Sequence, residues 1–255
     1  MPDRAITHLA DLLWTAEHER RALALPDPSF VVPDETLAYA VQAEIFARRG
    51  SPLLGFKLGG TVRPPPGEDR RSYGTLSHWH RVGEDGEPVG TGRFRAPCVE
   101  PEIALRLGRA LSGEGHDRAS VAAHLDAVLP ALEIADTRYP GFPAQLADNI
   151  ADNGSSGAVV LGVPVAWRKD MDLRSEAVQF FTGADRVGSG VGSDVMGDPL
   201  LALSWLAGRL AQNGHTLPAG AVVITGGITT SAPALSGRTY RAVFSTIGEV
   251  SVRFS

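Results

Sequence analysis

Apolar and polar positions follow two different spacings along this chain, and the change falls near residue 50. Before it the spacing is helical. Ile6, Leu9, Leu12 and Leu13 fall on one helical face. Pro33-Asp34 opens a second predicted helix with Leu37, Ala40, Val41 and Ile45 on its inner face and Gly50 after its end. From Ser51 the pattern breaks into short apolar runs punctuated by Gly and Pro. Val99 to Leu107 (VEPEIALRL), Ala158 to Val163 (AVVLGV) and Ala221 to Thr225 (AVVIT) predict strands. Tyr240 to Phe254 predicts a closing hairpin that turns near Gly248. Asp198 as N-cap and Pro199 at the first helical position predict a helix to about Asn213, with Gly214 beyond it. Ser120 predicts the cap of a helix through Val128, which Pro130 separates from a strand bearing Glu133. Short, irregularly spaced strands with helices between them predict an α+β architecture rather than a doubly wound parallel sheet. The one division expected sets a helical segment, residues 1–50, against residues 51–255.

Composition narrows the function classes. The chain has 255 residues, 43% hydrophobic and 21% charged, as an ordinary soluble globular protein does. A formal net charge of -5 offers no basic excess to neutralise phosphates, so no nucleic-acid surface is expected. No apolar run reaches the roughly 18 residues of a membrane span, and the N-terminus, MPDRAITHLADLLW, lacks the apolar core of a signal peptide. A cytoplasmic protein with no membrane partner is the expectation. The lone Cys98 excludes an intrachain disulfide and a cysteine metal cluster, and is expected to be a small buried residue.

Candidate chemistry starts from carboxylates. In a strand, Glu100 and Glu102 project from one face. Glu133, opening the next apolar run, is placed to meet them. Three converging carboxylates repel one another unless a divalent cation joins them, and an all-oxygen set suits Mg²⁺ or Mn²⁺. A solvated strand edge with three unrelated acids fits the spacing equally well. Lys57, in Gly55-Phe56-Lys57-Leu58-Gly59-Gly60-Thr61, is one of only two lysines, Lys169 being the other, among 24 basic residues. An ammonium kept inside an apolar segment of an arginine-biased chain suggests a group able to lose its proton when desolvated. An ordinary lysine with a buried stem is the alternative. His78 and His80 would share a strand face and act as base or ligand, or lie in a surface loop. The polar run Asp148 to Gly157 suits either a substrate carboxylate or a structural turn. Thr61 to Ser72, rich in Pro, is either a lid or a plain connection. Gly188-Ser189-Gly190-Val191-Gly192 lacks the strand–turn–helix setting of a dinucleotide fingerprint.

Taken in order, seven segments resemble the 2-keto-4-pentenoate hydratase and 4-oxalocrotonate decarboxylase family, a branch of the fumarylacetoacetate hydrolase superfamily. They are AYAVQ (Ala38 to Gln42), GFKLGGT (Gly55 to Thr61), VEPEIA (Val99 to Ala104), ALEIADTRY (Ala131 to Tyr139), DNIADNGSSGAVVLG (Asp148 to Gly162), GDPLLALSWLAGRL (Gly197 to Leu210) and LPAGAVVITGGIT (Leu217 to Thr229). The resemblance implies a mixed β-sandwich roll with an N-terminal helical segment. It implies Mg²⁺ or Mn²⁺ on Glu100, Glu102 and Glu133, and a small-molecule 2-oxo acid substrate chelating that metal. Lys57 matches the family's active-site lysine, and Ser155 the serine that helps hold the substrate. Gly59, Thr61 and Thr229 of the matching segments are expected at the substrate as well. A homo-oligomer built from dimers is also implied.

One segment departs from the family pattern. Tyr73 to His80 resembles YGxLxDxM, with His78 where the family carries an acid implicated in proton handling and His80 where it carries Met. A histidine still transfers protons at neutral pH, so both are candidate catalytic groups beside Lys57. The reaction the resemblance implies first is hydration of a 2-hydroxy-2,4-dienoate to a 4-hydroxy-2-oxo acid. Decarboxylation of a 4-oxalocrotonate-type diacid, carbon–carbon hydrolysis of an acylpyruvate, and a non-catalytic homologue are the rivals.

Overall fold

Residues 2–24, 30–62 and 69–255 are described in a computed structural model. Helices α1 (Pro2–Glu19) and α2 (Glu35–Arg49) form where the spacing predicts them. Asp34 caps α2 by accepting the Leu37 N–H at 2.8 Å, and Gly50 ends it with φ 61°. Their inner faces, including Leu9, Leu13, Val41 and Ile45, share one buried cluster with Tyr139, Ile150 and Ala151 from much later in the chain.

Among the described residues, twelve strands and three more α-helices follow: β1 (Leu53–Gly59), β2 (Ser72–Ser77), β3 (Cys98–Leu107), α3 (Arg118–Ala122), β4 (Leu125–Ala135), α4 (Leu146–Ala151), β5 (Ser156–Leu161), β6 (Val165–Ala166), β7 (Ala177–Thr182), β8 (Asp185–Val191), α5 (Pro199–Gln212), β9 (Val222–Ile224), β10 (Ala232–Pro233), β11 (Thr239–Phe244) and β12 (Glu249–Arg253). The larger sheet runs β2-β1-β9-β3-β4-β5, with β10 added on β3 and β6 on β4. The smaller runs β12-β11-β7-β8. Val99, Ile103, Leu105, Leu132 and Ile134 on one face of the large sheet join Phe180, Tyr240, Ala242 and Val252 of the small one in the main core. By strand alternation the opposite face carries Ala104, Leu129, Ala131 and Ile224, a second buried cluster of small and aliphatic side chains. This is the mixed β-sandwich with an N-terminal helical segment that was expected. No described helix is long and apolar enough to cross a membrane.

Two expectations fail in the stretch before Glu133. The helix there is capped by Asp117, not Ser120, and ends at Ala122. Leu125 to Val128 instead open β4. From Ala127 to Ala135 that strand is buried on both faces, so its apolar run carries no alternation to mark it as a strand. Pro130 lies inside β4, opposite Ile103, rather than before it. Its carbonyl accepts from the Gly162 N–H at 2.8 Å, in the gap between β5 and β6. The ring nitrogen faces that same gap, so no ladder bond is lost. Cys98 is a half-buried free thiol at the start of β3, not a fully buried one. The core of the Pro-rich loop, residues 63–68, lies outside the described residues.

Candidate metal centre

β3 and β4 pair antiparallel with Glu100 directly opposite Glu133 and Glu102 opposite Ala131. Opposed residues point to one face, and so do residues two apart. All three carboxylates therefore stand on the face away from the main core, and each offers an oxygen within 4.8 Å of the others. Glu102 and Glu133 are buried and Glu100 is partly buried. Lys57 joins them from β1. It pairs with Ile224 of β9, which pairs with Ala104 of β3, so its side chain rises on the same face. Its Nζ lies 2.9 Å from Glu133 Oε1 and donates to the Gly154 carbonyl at 2.7 Å.

The electrostatics of this cluster are unbalanced. Burial, reinforced by the charge of Glu133 and opposed by Lys57, pushes the Glu100 carboxyl up to about 7. Burial and Glu133 hold Glu102 well above the ordinary carboxylate range, against Lys57 and the Gly226 N–H. Burial works against the Lys57 ammonium, but the carboxylates of Glu133, Glu102 and Glu100 override it and hold the pKa above its ordinary value. Desolvation alone does not free this lysine of its proton, contrary to the reading from its apolar surroundings. One ammonium faces three carboxylates, and Oε1 of Glu102 is buried with no hydrogen-bond partner. A buried acceptor oxygen left over in a cluster of negative charge is what a divalent cation satisfies. The donors are all oxygens, so Mg²⁺ or Mn²⁺ fits.

Two backbone segments close on the cluster. After β9, Gly226 donates its N–H to Glu102 Oε2 at 2.6 Å. It holds φ 118°, and a Cβ there would stand 2.0 Å from Thr61 Oγ1. A Cβ on Gly227 would stand 2.5 Å from Glu100 Oε2. This glycine pair is what lets the chain approach two of the acids, and it was not singled out from the sequence, although two glycines directly after a predicted strand mark such an approach. Thr61, 2% exposed, fastens the same loop by donating to the Thr225 carbonyl at 2.8 Å. The other segment is Asn153-Gly154-Ser155, three consecutive residues in the left-handed region with φ 54°, 64° and 58°.

Ser155 is buried on this turn, its hydroxyl 3.4 Å from both Asp152 Oδ2 and Asn149 Nδ2. Gly59 ends β1 opposite Ser72. Thr229 is half-buried, donates its hydroxyl to the Thr230 carbonyl and packs against Gly188 of β8.

No family model matches this chain. Individual relatives do. 2-Keto-4-pentenoate hydratase 1 of Dechloromonas aromatica (strain RCB) is 36% identical over 253 residues, covering 96% of this chain and 95% of that protein. 4-Oxalocrotonate decarboxylase of Pseudomonas putida is 34% identical over 223 residues, covering 85% and 84%. The chain belongs to the 2-keto-4-pentenoate hydratase and 4-oxalocrotonate decarboxylase family. Among solved structures, 4-oxalocrotonate decarboxylase from Pseudomonas putida G7, complexed with magnesium and adipate, matches with a TM-score of 0.90 and 30% identity, over 100% of this chain and 98% of that one. Membership in this family makes the protein an enzyme, a metal-dependent lyase acting on 2-oxo acids.

The departure of this family member at His78 and His80 is resolved by the fold. They do not share a strand face, because His78, Trp79 and His80 form a single 3-10 turn beyond the end of β2. His78 is exposed. It lies four residues along from Gly74, the β2 partner of Lys57, or roughly 13 Å at strand rise. His80 is 2% exposed and turns the other way, its Nδ1 accepting the Ser77 N–H at 3.0 Å. Around it a small cavity is lined by Glu17, Arg49, Arg138 and Asp152. Burial first, then the charges of Arg49, Arg138 and Arg93, push its pKa down to about 3. His80 is thus a neutral acceptor at physiological pH, and neither histidine is brought into the carboxylate cluster.

Proposed function

We propose that this protein hydrates a 2-hydroxy-2,4-dienoate to a 4-hydroxy-2-oxo acid, with Glu100, Glu102 and Glu133 holding one Mg²⁺ or Mn²⁺ and Lys57 as the working group beside it. The observation that carries the reading is the buried, charge-deficient carboxylate cluster with a single ammonium on its edge. When bound, the divalent cation supplies Lewis acidity that draws charge towards the oxygen of a chelating 2-oxo acid. The chain's own residues do the rest. The glycine loop Gly226-Gly227 and the turn at Gly154 wall the cluster. An ammonium has three donors, and two of those of Lys57 are directed at Gly154 and Glu133. The third serves the substrate, either holding its carboxylate or delivering a proton to the far carbon of the dienoate. As the 2-oxo group forms, the enol hydroxyl gives up its proton and so repays the one delivered to the far carbon. Water then adds across the conjugated 2-oxo-enoate, OH at C4 and H at C3, so the net change is one water gained.

Decarboxylation of a vinylogous 2-oxo diacid is the second reading, supported by the likeness to 4-oxalocrotonate decarboxylase in both sequence and structure. It needs the same cation and an electron sink but no added water. Mass spectrometry of products settles the choice, after incubating Mg²⁺- or Mn²⁺-loaded protein with 2-hydroxypenta-2,4-dienoate and, separately, 4-oxalocrotonate. Gain of water on the first supports hydration, and loss of CO₂ from the second supports decarboxylation. Inertness towards both sinks the two readings together. A homo-oligomer built from dimers goes with this proposal, and a monomer mass in sedimentation would remove it.

A further inference from the structure

The turn Asn153-Gly154-Ser155 is an improbable conformation that something must hold. Two of its three left-handed residues carry side chains, and each costs free energy there. The turn also touches Lys57 closely. Its Gly154 carbonyl takes the 2.7 Å bond from Nζ, and a Cβ on Gly154 would stand 3.4 Å from Cδ, Cε and Nζ of that lysine. On the other side, a Cβ on Gly74 of β2 would stand 2.4 Å from the Asn153 carbonyl and 2.9 Å from Lys57 Cγ. Lysine stem, turn and β2 backbone are packed with no slack, so a shift of either backbone moves the ammonium.

Two side chains lock that arrangement. Asn153 pairs with the backbone of Thr75, accepting its N–H at 2.7 Å and donating to its carbonyl at 3.0 Å. Gln42, from the middle of α2 and 3% exposed, spends its whole amide on the same two segments. Its Nε2 donates to the Tyr73 carbonyl of β2 and to the Ile150 carbonyl at the end of α4, both at 3.0 Å. Its Oε1 accepts from the Thr75 hydroxyl at 3.1 Å. Tyr73 and Thr75 flank Gly74, and Ile150 leads into the turn. A hydrocarbon of similar size would fill the space and remove all three of these bonds.

We propose that Gln42 is a positioning residue: through Thr75 and Asn153 it fixes the turn whose Gly154 carbonyl sets the Lys57 ammonium beside Glu133. The N-terminal helical segment thereby reaches the metal centre through one buried amide. This rests on the reading of Lys57 as the working group of the proposed reaction.

Because the chain holds only two lysines, protein labelled at lysine Cε gives two carbon resonances, and Lys169→Arg assigns them. The comparison is between wild type, Gln42→Leu and Asn153→Gly, all loaded with Mg²⁺. Asn153→Gly keeps an easy left-handed backbone and loses only the clamp on Thr75. Both variants are expected to shift or broaden the Lys57 resonance and leave that of exposed Lys169 in place. Mg²⁺ affinity should stay within about threefold while kcat falls about tenfold or more, with KM nearly unchanged. A folded Gln42→Leu with a wild-type Lys57 resonance and wild-type kcat overturns the proposal. If Gln42→Leu does not fold, Asn153→Gly decides on the same two readouts. A shifted Lys57 resonance in a protein that turns over neither acid upholds the positioning and overturns only the reaction.

Discussion

Two buried charge clusters sit on either side of the turn at Asn153, and they are built in opposite ways. Around Arg138 every charge is answered. Its Nε binds Asp152 Oδ1, its Nη1 donates to the carbonyls of Asp136 and Ser156 at 2.7 and 2.8 Å, and its Nη2 donates to the Asp152 carbonyl. Asp152 also accepts from the Thr137 hydroxyl at 2.8 Å. Burial works against the guanidinium, and the Asp152 carboxylate overrides it and holds its pKa above the ordinary value. Around Glu102 the charges are not answered, and a buried oxygen is left over. A balanced pair of this kind holds a backbone in place; an unbalanced cluster of this kind is one that a bound cation would complete. Burial alone distinguishes nothing, since Asp152 and Glu102 are 1% and 0% exposed.

The largest test of this contrast is stability. Asp152→Ala leaves Arg138 buried and unpaired and should cost about 3–5 kcal/mol in urea unfolding. In the metal-free protein Glu102→Gln should cost nothing or stabilise, because the amide has no charge to bury beside the other two acids and keeps an acceptor for the Gly226 N–H. Equal losses in the two variants would erase the distinction. Next comes metal. Mg²⁺ or Mn²⁺ at a hundredfold over its Kd should stabilise the wild type by about 2.7 kcal/mol, and this gain should vanish in Glu102→Gln. A calorimetric titration that finds undiminished binding in all three single Glu→Gln variants would remove the carboxylate cluster as a metal site.

Acid titration probes the basic side. His80 is held at about 3 in the fold, against an unfolded value of about 6.5. Below about 6.5 the unfolded chain therefore binds a proton that the folded one refuses, and stability falls with pH by up to about 1.4 kcal/mol per unit. Between pH 6.5 and 5 the loss should reach about 1.6 kcal/mol by linkage. His80→Asn, whose Oδ1 can still accept from Ser77, should flatten that slope. An unchanged slope would mean that burial and the neighbouring arginines do not hold the His80 pKa down. At the lysine, Lys57→Arg keeps a cation but alters its reach and its readiness to give up a proton. It should lower kcat/KM about tenfold, or roughly 1.4 kcal/mol, and near-normal turnover would leave Lys57 as a structural counter-ion. Smallest of all, His78→Ala should change kcat by less than about twofold. A large loss there would mean that an exposed side chain on the turn reaches the substrate.

What the sequence determined by itself is what local geometry determines. Strand alternation puts Glu100 and Glu102 on one face whatever the rest of the fold does. Asp34 and Asp198 cap their helices through their own chain neighbours, so α2 and α5 were legible at both ends. The family resemblance carried the proposed ligand set and the proposed role of Lys57 further than spacing did. The tertiary structure alone decided the rest. Glu133 meets Glu100 because β3 and β4 share a register, and register is a property of two strands together. β4 was misread at its start because a strand buried on both faces has no alternation, and Pro130 is tolerated there only because of the gap between its neighbours β5 and β6. His78 and His80 part company because a 3-10 turn, not a strand, follows Ser77. The left-handed turn at Asn153, and with it the seat of the Lys57 ammonium, depends on Thr75 and Gln42, which lie 78 and 111 residues away along the chain. Contacts that distant leave no pattern in the residues around the turn, because the free energy that holds it is supplied by partners only folding brings near.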